Sequence, residues 1–384
     1  MKKMLFLDQY GGLGGGQQIL LEAVYSARDA GWEPVVALPE GECARQLQSQ
    51  GISVAYIKEM NVADGKKSLV DVYMFLIYNL KVFVTLWRFF RGCSCVYVNG
   101  SRLLLAAMLA GFFLGKKYVM HIHLNHESAA LRLLAFASRL QQSIAVIFPS
   151  SFVFVETTKR VPQFARSKCL IIENGLDGRF SSVSFVDRFS NKVLTDVCIL
   201  GRVCHEKGQD VLISLADNFP DIQFHVIGDS AFSSVEYLND LKSRKRKNIL
   251  FHGWVDNVQA KINELGIQVC LVPSRCPRVD ANRSFEAAPL VPLQMAALSC
   301  LVVVRRLGAL QEVADAIGAL SFDNDEDLVG IIRSLNNANN TEIVEVCYAS
   351  YVAVSEKYGN ALFRKKLMSF FQSSIFSYER CENL

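Results

Sequence analysis

Short β-rich runs recur along this chain at intervals long enough for a helix between them, and that alternation excludes most folds. The runs are Met4 to Leu7, Val35 to Leu38, Val54 to Ile57, Val96 to Val98, Tyr118 to His121, Ile144 to Phe148 and Leu170 to Ile172. Each is continuously apolar, as in strands covered on both faces. Gly, Asn or Ser near many of their ends turns the chain. The expectation is a doubly wound parallel sheet with crossover helices.

The pattern pauses in the polar stretch Asp187 to Thr195 and then restarts with Val197 to Leu200, Phe224 to Ile227, Ile249 to Phe251, Val269 to Val272 and Leu301 to Val304. A chain of 384 residues suits two cores of roughly 150 to 200 residues each. We therefore expect two Rossmann-like α/β domains, residues 1–185 and 186–360, with the remaining 361–384 forming a C-terminal helix. Two such units joined by one linker turn the carboxyl ends of their sheets toward a shared cleft, where open α/β folds bind ligands.

Composition narrows the function classes. Apolar residues make up 51% of the chain and charged residues 20%, a globular rather than disordered balance. The net charge is only +4 and its cations are dispersed, which argues against nucleic acid as a partner. The dense cluster Lys242 to Lys247 reads as a solvated helix end. Eleven cysteines lack metal-ligand spacing and fit a reducing cytoplasm. The apolar run Met4 to Leu7 is too short for a signal-peptide core. Residues 72–91 are rich in aromatics and interrupted by Asn79, Lys81, Arg88 and Arg91, which suits a buried or membrane-facing helix better than a spanning one. Asp323, Asn324 and Asp325 form an acidic loop, read as solvated rather than metal-binding.

Two strand-to-helix turns carry the chemistry. The first runs from Gly11 to Gln18, and the backbone amides of Gly15 and Gly16 there can face an anion. Gln17 occupies the third glycine position of a dinucleotide fingerprint, which disfavours a dehydrogenase, and no Lys-Ser/Thr pair makes a Walker cradle. The second turn reads Gly201, Arg202, Val203, Cys204, His205, Glu206, Lys207, Gly208. Its planar Arg202 and compact Lys207 can converge on a diphosphate.

Further along come Val226 to Asp229, Phe251 to Val255, Val272 to Ser274, then Glu286, Gln294 and Gly308 to Glu312. With the first glycine turn and Asn174 to Asp177, this order resembles family 4 of the retaining glycosyltransferases, of GT-B fold, over nearly the whole chain. The resemblance implies transfer of a sugar from a nucleotide-sugar donor to a saccharide or lipid-linked acceptor, with no cofactor and no metal. It assigns the donor diphosphate to Arg202 and Lys207, the donor sugar to Glu286 and to a histidine after the strand Tyr118 to His121, for which we favour His123 over His121 and His126. Gly253 and Gln294 fall to the donor nucleoside. The family carries a second glutamate eight positions after the first, where this chain has Gln294, and a glycine near Pro289. An amide can bond a ribose diol but lacks the charge of a carboxylate, and proline has no N–H to offer a phosphate. The resemblance further implies a C-terminal helix in 361–384 that crosses back to the first domain, and surface-polysaccharide or glycolipid assembly at the inner face of a membrane. Two other readings share the architecture: a catalytically weak binding subunit and a nucleotide-sugar epimerase.

Overall fold

A computed structural model describes residues 1–59, 69–123, 128–164, 168–189, 193–230, 235–275 and 287–373. The chain divides into two units, Met1–Gly175 with Ala361–Leu384, and Leu176–Asn360. The first unit holds a parallel sheet of β1 (Lys3–Leu7), β2 (Glu33–Leu38), β3 (Ser53–Tyr56), β4 (Cys95–Asn99), β5 (Lys117–His121), β6 (Ser143–Phe148) and β7 (Cys169–Ile171). Its order is β3-β2-β1-β4-β5-β6-β7, so the winding reverses between β1 and β4. Leu7 pairs with Val98 there, and Asn99 pairs with His121 on the next strand. Such a reversal opens a crevice at the carboxyl ends of the strands.

The second unit repeats the plan with β8 (Asp196–Leu200), β9 (Gln223–Ile227), β10 (Ile249–Gly253), β11 (Val269–Val272), β12 (Leu301–Arg305) and β13 (Leu320–Phe322) in the order β10-β9-β8-β11-β12-β13, all parallel. Its reversal falls between β8 and β11. The apolar runs read from the sequence are strands within a residue or two at each end; burial on both faces gives the interior strands their unbroken apolar signature, whereas the edge strands β3 and β7 are mostly half-buried or exposed. β13 is only three residues long and half-buried along two of them, which left no such run to read.

The boundary falls about ten residues before the expected 185/186. Leu176 and Phe180 are buried in the second unit's core, and Leu176 N donates to Tyr358 O at 2.8 Å. The helix Asn360–Gln372 belongs to the first unit: Phe363, Leu367, Phe370 and Phe371 enter the same core as Phe6 and Tyr97. Trp32 Nε1 donates to Phe371 O at 3.1 Å, and Arg364 and Lys366 pair with Glu22 and Glu173 at 2.6 and 2.7 Å. Burying each of these four side chains contributes about 1.5 to 3 kcal/mol.

The aromatic segment 72–91 is two helices, Leu69–Thr85 and Trp87–Gly92. Asn79, in the first of them, is fully buried and donates to Phe75 O and Arg102 O at 3.0 Å while accepting from Ala106 N at 3.1 Å. That side chain fixes the helix onto the start of Leu104–Leu114, which satisfies a buried amide and two orphan backbone groups together. Among the described residues no helix is long and apolar enough to cross a membrane.

Candidate functional site

In the first unit the site is built at the reversal between β1 and β4. Asp8 follows β1 directly, held in sheet register by its N–H donating to Ala37 O at 3.0 Å. Its side chain is fully buried. Asn99 ends β4 and donates through Nδ2 to Asp8 Oδ2 at 2.5 Å and to Gly16 O at 3.2 Å. Gln17 Nε2 donates to both Asp8 oxygens at 3.2 Å, and Tyr10 N to Oδ1 at 2.9 Å. Burial pushes the Asp8 carboxyl up to about 6, and the bonds from Asn99, Tyr10, Gln17 and Gln9 hold it from going higher.

The glycine turn is bound into this cluster. Gly14 caps the helix Gly15–Asp29, and Gln17 Oε1 accepts from Gly14 N at 3.3 Å. Gly11 is required by packing: a Cβ there would lie 2.2 Å from Glu40 O. Gly12 and Gly16 would meet nothing within 4 Å, so open space lies over that part of the turn. Gly15 and Gly16 occupy the first helical positions, whose N–H groups have no partner within the helix itself and carry the positive end of its dipole.

His123 lies half-buried two residues beyond β5, and its Nε2 is 2.6 Å from Asn99 Oδ1. His121 is instead a core residue, fully buried, with Nδ1 at 2.5 Å from the Tyr97 hydroxyl. Burial, then the neighbouring His123, carries its pKa well below the ordinary range. The structure thus separates the two histidines by burial and partner. His126 and Glu286 lie outside the described residues.

In the second unit the turn after β8 is shaped by close backbone contact. Gly201 and Gly228 have φ of +136° and +140°, and a Cβ on Gly228 would sit 1.9 Å from Gly201 O. Gly228 N in turn donates to Gly253 O at 2.8 Å. The strand ends carrying Gly201, Gly228 and Gly253 therefore meet, which brings the expected residue Gly253 beside the turn that holds Arg202. A Cβ at Gly201 would lie 4.0 Å from Lys207 Cε, so the lysine stem runs over the end of β8. Arg202 is exposed and Lys207 half-buried, and the two cations flank a short 3-10 turn, His205–Lys207.

That turn is supported from below. Gln209 Nε2 donates to Arg202 O at 2.7 Å, and Arg275 N donates to Glu206 O at 2.8 Å. The Arg275 guanidinium pairs with Asp210 at 2.6 Å and Asp325 at 3.2 Å, and Asp325 also takes Arg305 at 2.5 Å. Burial opposes ionisation of Asp210, but Arg275 and the Tyr237 hydroxyl, 2.9 Å away, hold it below the usual carboxylate range. Asn324 accepts from Asp327 N at 2.9 Å and caps the helix Asp325–Asn337, so the acidic loop serves as a helix start and an arginine anchor. Gln294 is half-buried on the helix Leu290–Ala297, and Pro289 stands at its N-cap.

Asp8 and Asn99 were not among the residues singled out from the sequence, and Gln17 was read only as the residue that breaks a dinucleotide fingerprint. Each is a polar residue at the end of an apolar run or inside the glycine turn, and only that position marks them.

Residues 195–337 match the family model described as glycosyl transferases group 1, so the second unit carries a domain of that type. No curated protein matches the chain in sequence. Among solved structures, Anabaena HepE in complex with UDP and glucose is similar at a TM-score of 0.77 and 18% identity, over 97% of this chain and 100% of that one. Sucrose-phosphate synthase from Thermosynechococcus elongatus gives 0.71 and 14%, over 97% and 98%. A variant of S. aureus TarM bound to fondaparinux, alpha-GlcNAc-glycerol and UDP gives 0.69 and 12%, over 97% and 100%. Likeness at these identities carries the fold, which is GT-B.

Proposed function

We propose that the protein is a retaining glycosyltransferase that moves a sugar from a nucleotide-sugar donor to an acceptor hydroxyl. The observation that carries this reading is the Gly201–Gly208 turn, with Arg202 and Lys207 flanking it, inside the stretch that matches the group 1 domain. As the glycosidic C–O bond breaks, negative charge grows on the departing diphosphate. A guanidinium and an ammonium placed there stabilise the transition state more than the ground state, with no metal required by the scheme. His123 and Glu286 contact the transferring sugar, the turn at Gly15 and Gly16 contributes backbone N–H groups to the phosphates, and Gly253 and Gln294 attend the nucleoside. Because the structures of HepE and TarM hold UDP, a uridine diphosphate sugar is the first donor to test.

The test is thermal stabilisation by a panel of nucleoside diphosphates and nucleotide sugars. A selective rise in Tm that Arg202→Ala and Lys207→Ala each reduce supports the reading, and a ligand present at 100 times its Kd contributes about 2.7 kcal/mol. No shift with any nucleotide favours the noncatalytic subunit, the reading suggested by Gln294 and by Pro289 at a helix start without an N–H. Product analysis separates transfer from epimerisation, since an epimerase releases its product without an acceptor.

The acceptor in this reading is saccharide, free or lipid-linked, in surface-polysaccharide or glycolipid assembly at the inner face of the cell membrane. What supports the lipid-linked form is an apolar face. Tyr73, Leu76, Trp87 and Phe89 are exposed on the helices of 69–92, and Phe112 and Phe113 are exposed on the adjoining helix, with the Phe83 and Phe113 rings 5.9 Å apart. Exposed Lys81, Arg88 and Arg91 accompany them and suit anionic headgroups. Replacing Trp87 and Phe89 by Glu should reduce sedimentation with anionic vesicles several-fold, and unchanged sedimentation discards the membrane contact.

A further inference from the structure

The described cluster at the end of β1 contains more order than holding a glycine turn requires. Asp8 receives only donors: two side-chain amides and the backbone N–H groups of Tyr10 and Gln9. An ionised carboxylate is acceptor-only, so each of those groups must present N–H to it. Asn99 consequently turns its amide nitrogen toward Asp8. The same nitrogen also serves Gly16 O at 3.2 Å, a second acceptor that cannot change its role.

The orientation of Asn99 is therefore fixed twice. Flipping the amide would set its oxygen against a carboxylate and a carbonyl, two contacts between acceptors inside a buried site. With nitrogen committed to Asp8 and Gly16, Asn99 Oδ1 faces His123 Nε2 at 2.6 Å. An oxygen acceptor at that distance requires the imidazole proton on Nε2.

We propose that Asp8 is a positioning residue that acts through Asn99 to lock His123 in the Nε2–H tautomer, so that Nδ1 is the ring's acceptor nitrogen. The consequence rests on the proposed function: with Nε2 committed to Asn99 and Nδ1 itself buried, His123 meets the transferring sugar as a ring fixed in place rather than through a free nitrogen. Asp8 also orders Gln17, whose Oε1 accepts from Gly14 N, so one carboxylate sets both the histidine and the glycine turn. Asp8 touches no substrate in this scheme.

The test is a long-range 1H–15N correlation spectrum of the histidine rings in the full chain at pH 8, with no substrate present. The chain has six histidines, and His123→Gln assigns the signal of interest. Wild type is expected to show His123 in the Nε2–H form. In Asp8→Asn the new amide presents N–H to Asn99, which turns over, and the His123 pattern should shift to Nδ1–H. Combining Asp8→Asn with Asn99→Asp restores an acceptor beside His123 and should return the Nε2–H pattern. A merely structural role for Asp8 would not reverse in that swap. Wild-type His123 in the Nδ1–H form overturns the proposal, as does an Asp8→Asn protein that keeps native backbone dispersion and an unchanged Nε2–H pattern. If Asp8→Asn does not fold, the wild-type spectrum still decides. Because the readout is a tautomer, it stands or falls apart from nucleotide binding, which the thermal panel tests.

Discussion

The two strand-end turns of this protein handle polarity in opposite ways. In the first unit a buried carboxylate, two amides and an imidazole satisfy one another through bonds of 2.5 to 3.2 Å beneath a glycine turn. In the second, the cations Arg202 and Lys207 stand on a turn whose shape comes from backbone contact between glycines, and Arg202 is exposed. The first arrangement keeps charge out of water and gains orientation. The second leaves charge near water and gains attraction for an anion. A buried network defines where a proton sits, because a reversed amide there costs about 1 to 3 kcal/mol per unsatisfied group. A solvated pair of cations tolerates movement and defines mainly which sign of ligand it attracts.

The contrast can be broken most sharply at Gly228. A methyl group there would lie 1.9 Å from Gly201 O at a φ of +140°. Gly228→Ala should therefore cost at least about 3 kcal/mol in urea unfolding of the second unit. A loss below about 1 kcal/mol would mean that backbone contact does not shape the cationic turn.

Asp8 supplies the next largest effect, and its sign follows from linkage. Its carboxyl rises from 3.8 to about 6 on folding, so between those values the folded chain holds more proton than the unfolded one. The stability from Asp8 is fully present below pH 3.8 and is lost as pH rises through about 6. The full difference is about 3 kcal/mol by the conversion of pKa to free energy. Asp8→Asn cannot titrate, so its stability minus that of wild type should grow by about that amount between pH 4 and pH 7 in urea unfolding. Other groups cancel in the difference. Cys43 and Tyr78 carry smaller influences from Asp8, and both are pushed up mainly by burial, to about 12, beyond this window. A pH-independent difference would remove the buried charge from the comparison.

The smallest effect is expected at Gly16, where a Cβ meets nothing within 4 Å. Gly16→Ala should change stability by less than about 1 kcal/mol, in the stabilising direction for a helical position. Weaker nucleotide binding by a variant no less stable than wild type would place a ligand over that open space, and unchanged binding would leave the glycine turn as a support of the Asp8 cluster alone.

Much of this was legible in the residues themselves. Among the described residues, twelve of the thirteen strands announce themselves as apolar runs, and the restart after Asp187–Thr195 marks a second unit. Arg202 and Lys207 were visible because one short turn carries both. These features are local: a strand buried on both faces must be apolar along its length, and a turn keeps its residues within a few positions.

Other features depended on tertiary structure. Asp8 and Asn99 are 91 positions apart, and Asn99 and His123 are 24 apart. They meet because β1 lies between β2 and β4, and β4 beside β5, an order decided by packing across the sheet. The helix Asn360–Gln372 was readable from its apolar residues, but its return to the first unit was expected from the resemblance alone, because apolar side chains do not name the core they enter. Strand and helix identity follow from short-range periodicity, whereas the meeting of distant polar residues follows from strand order. Until that order is set, an aspartate after a strand and an asparagine at the end of another are two ordinary turn residues.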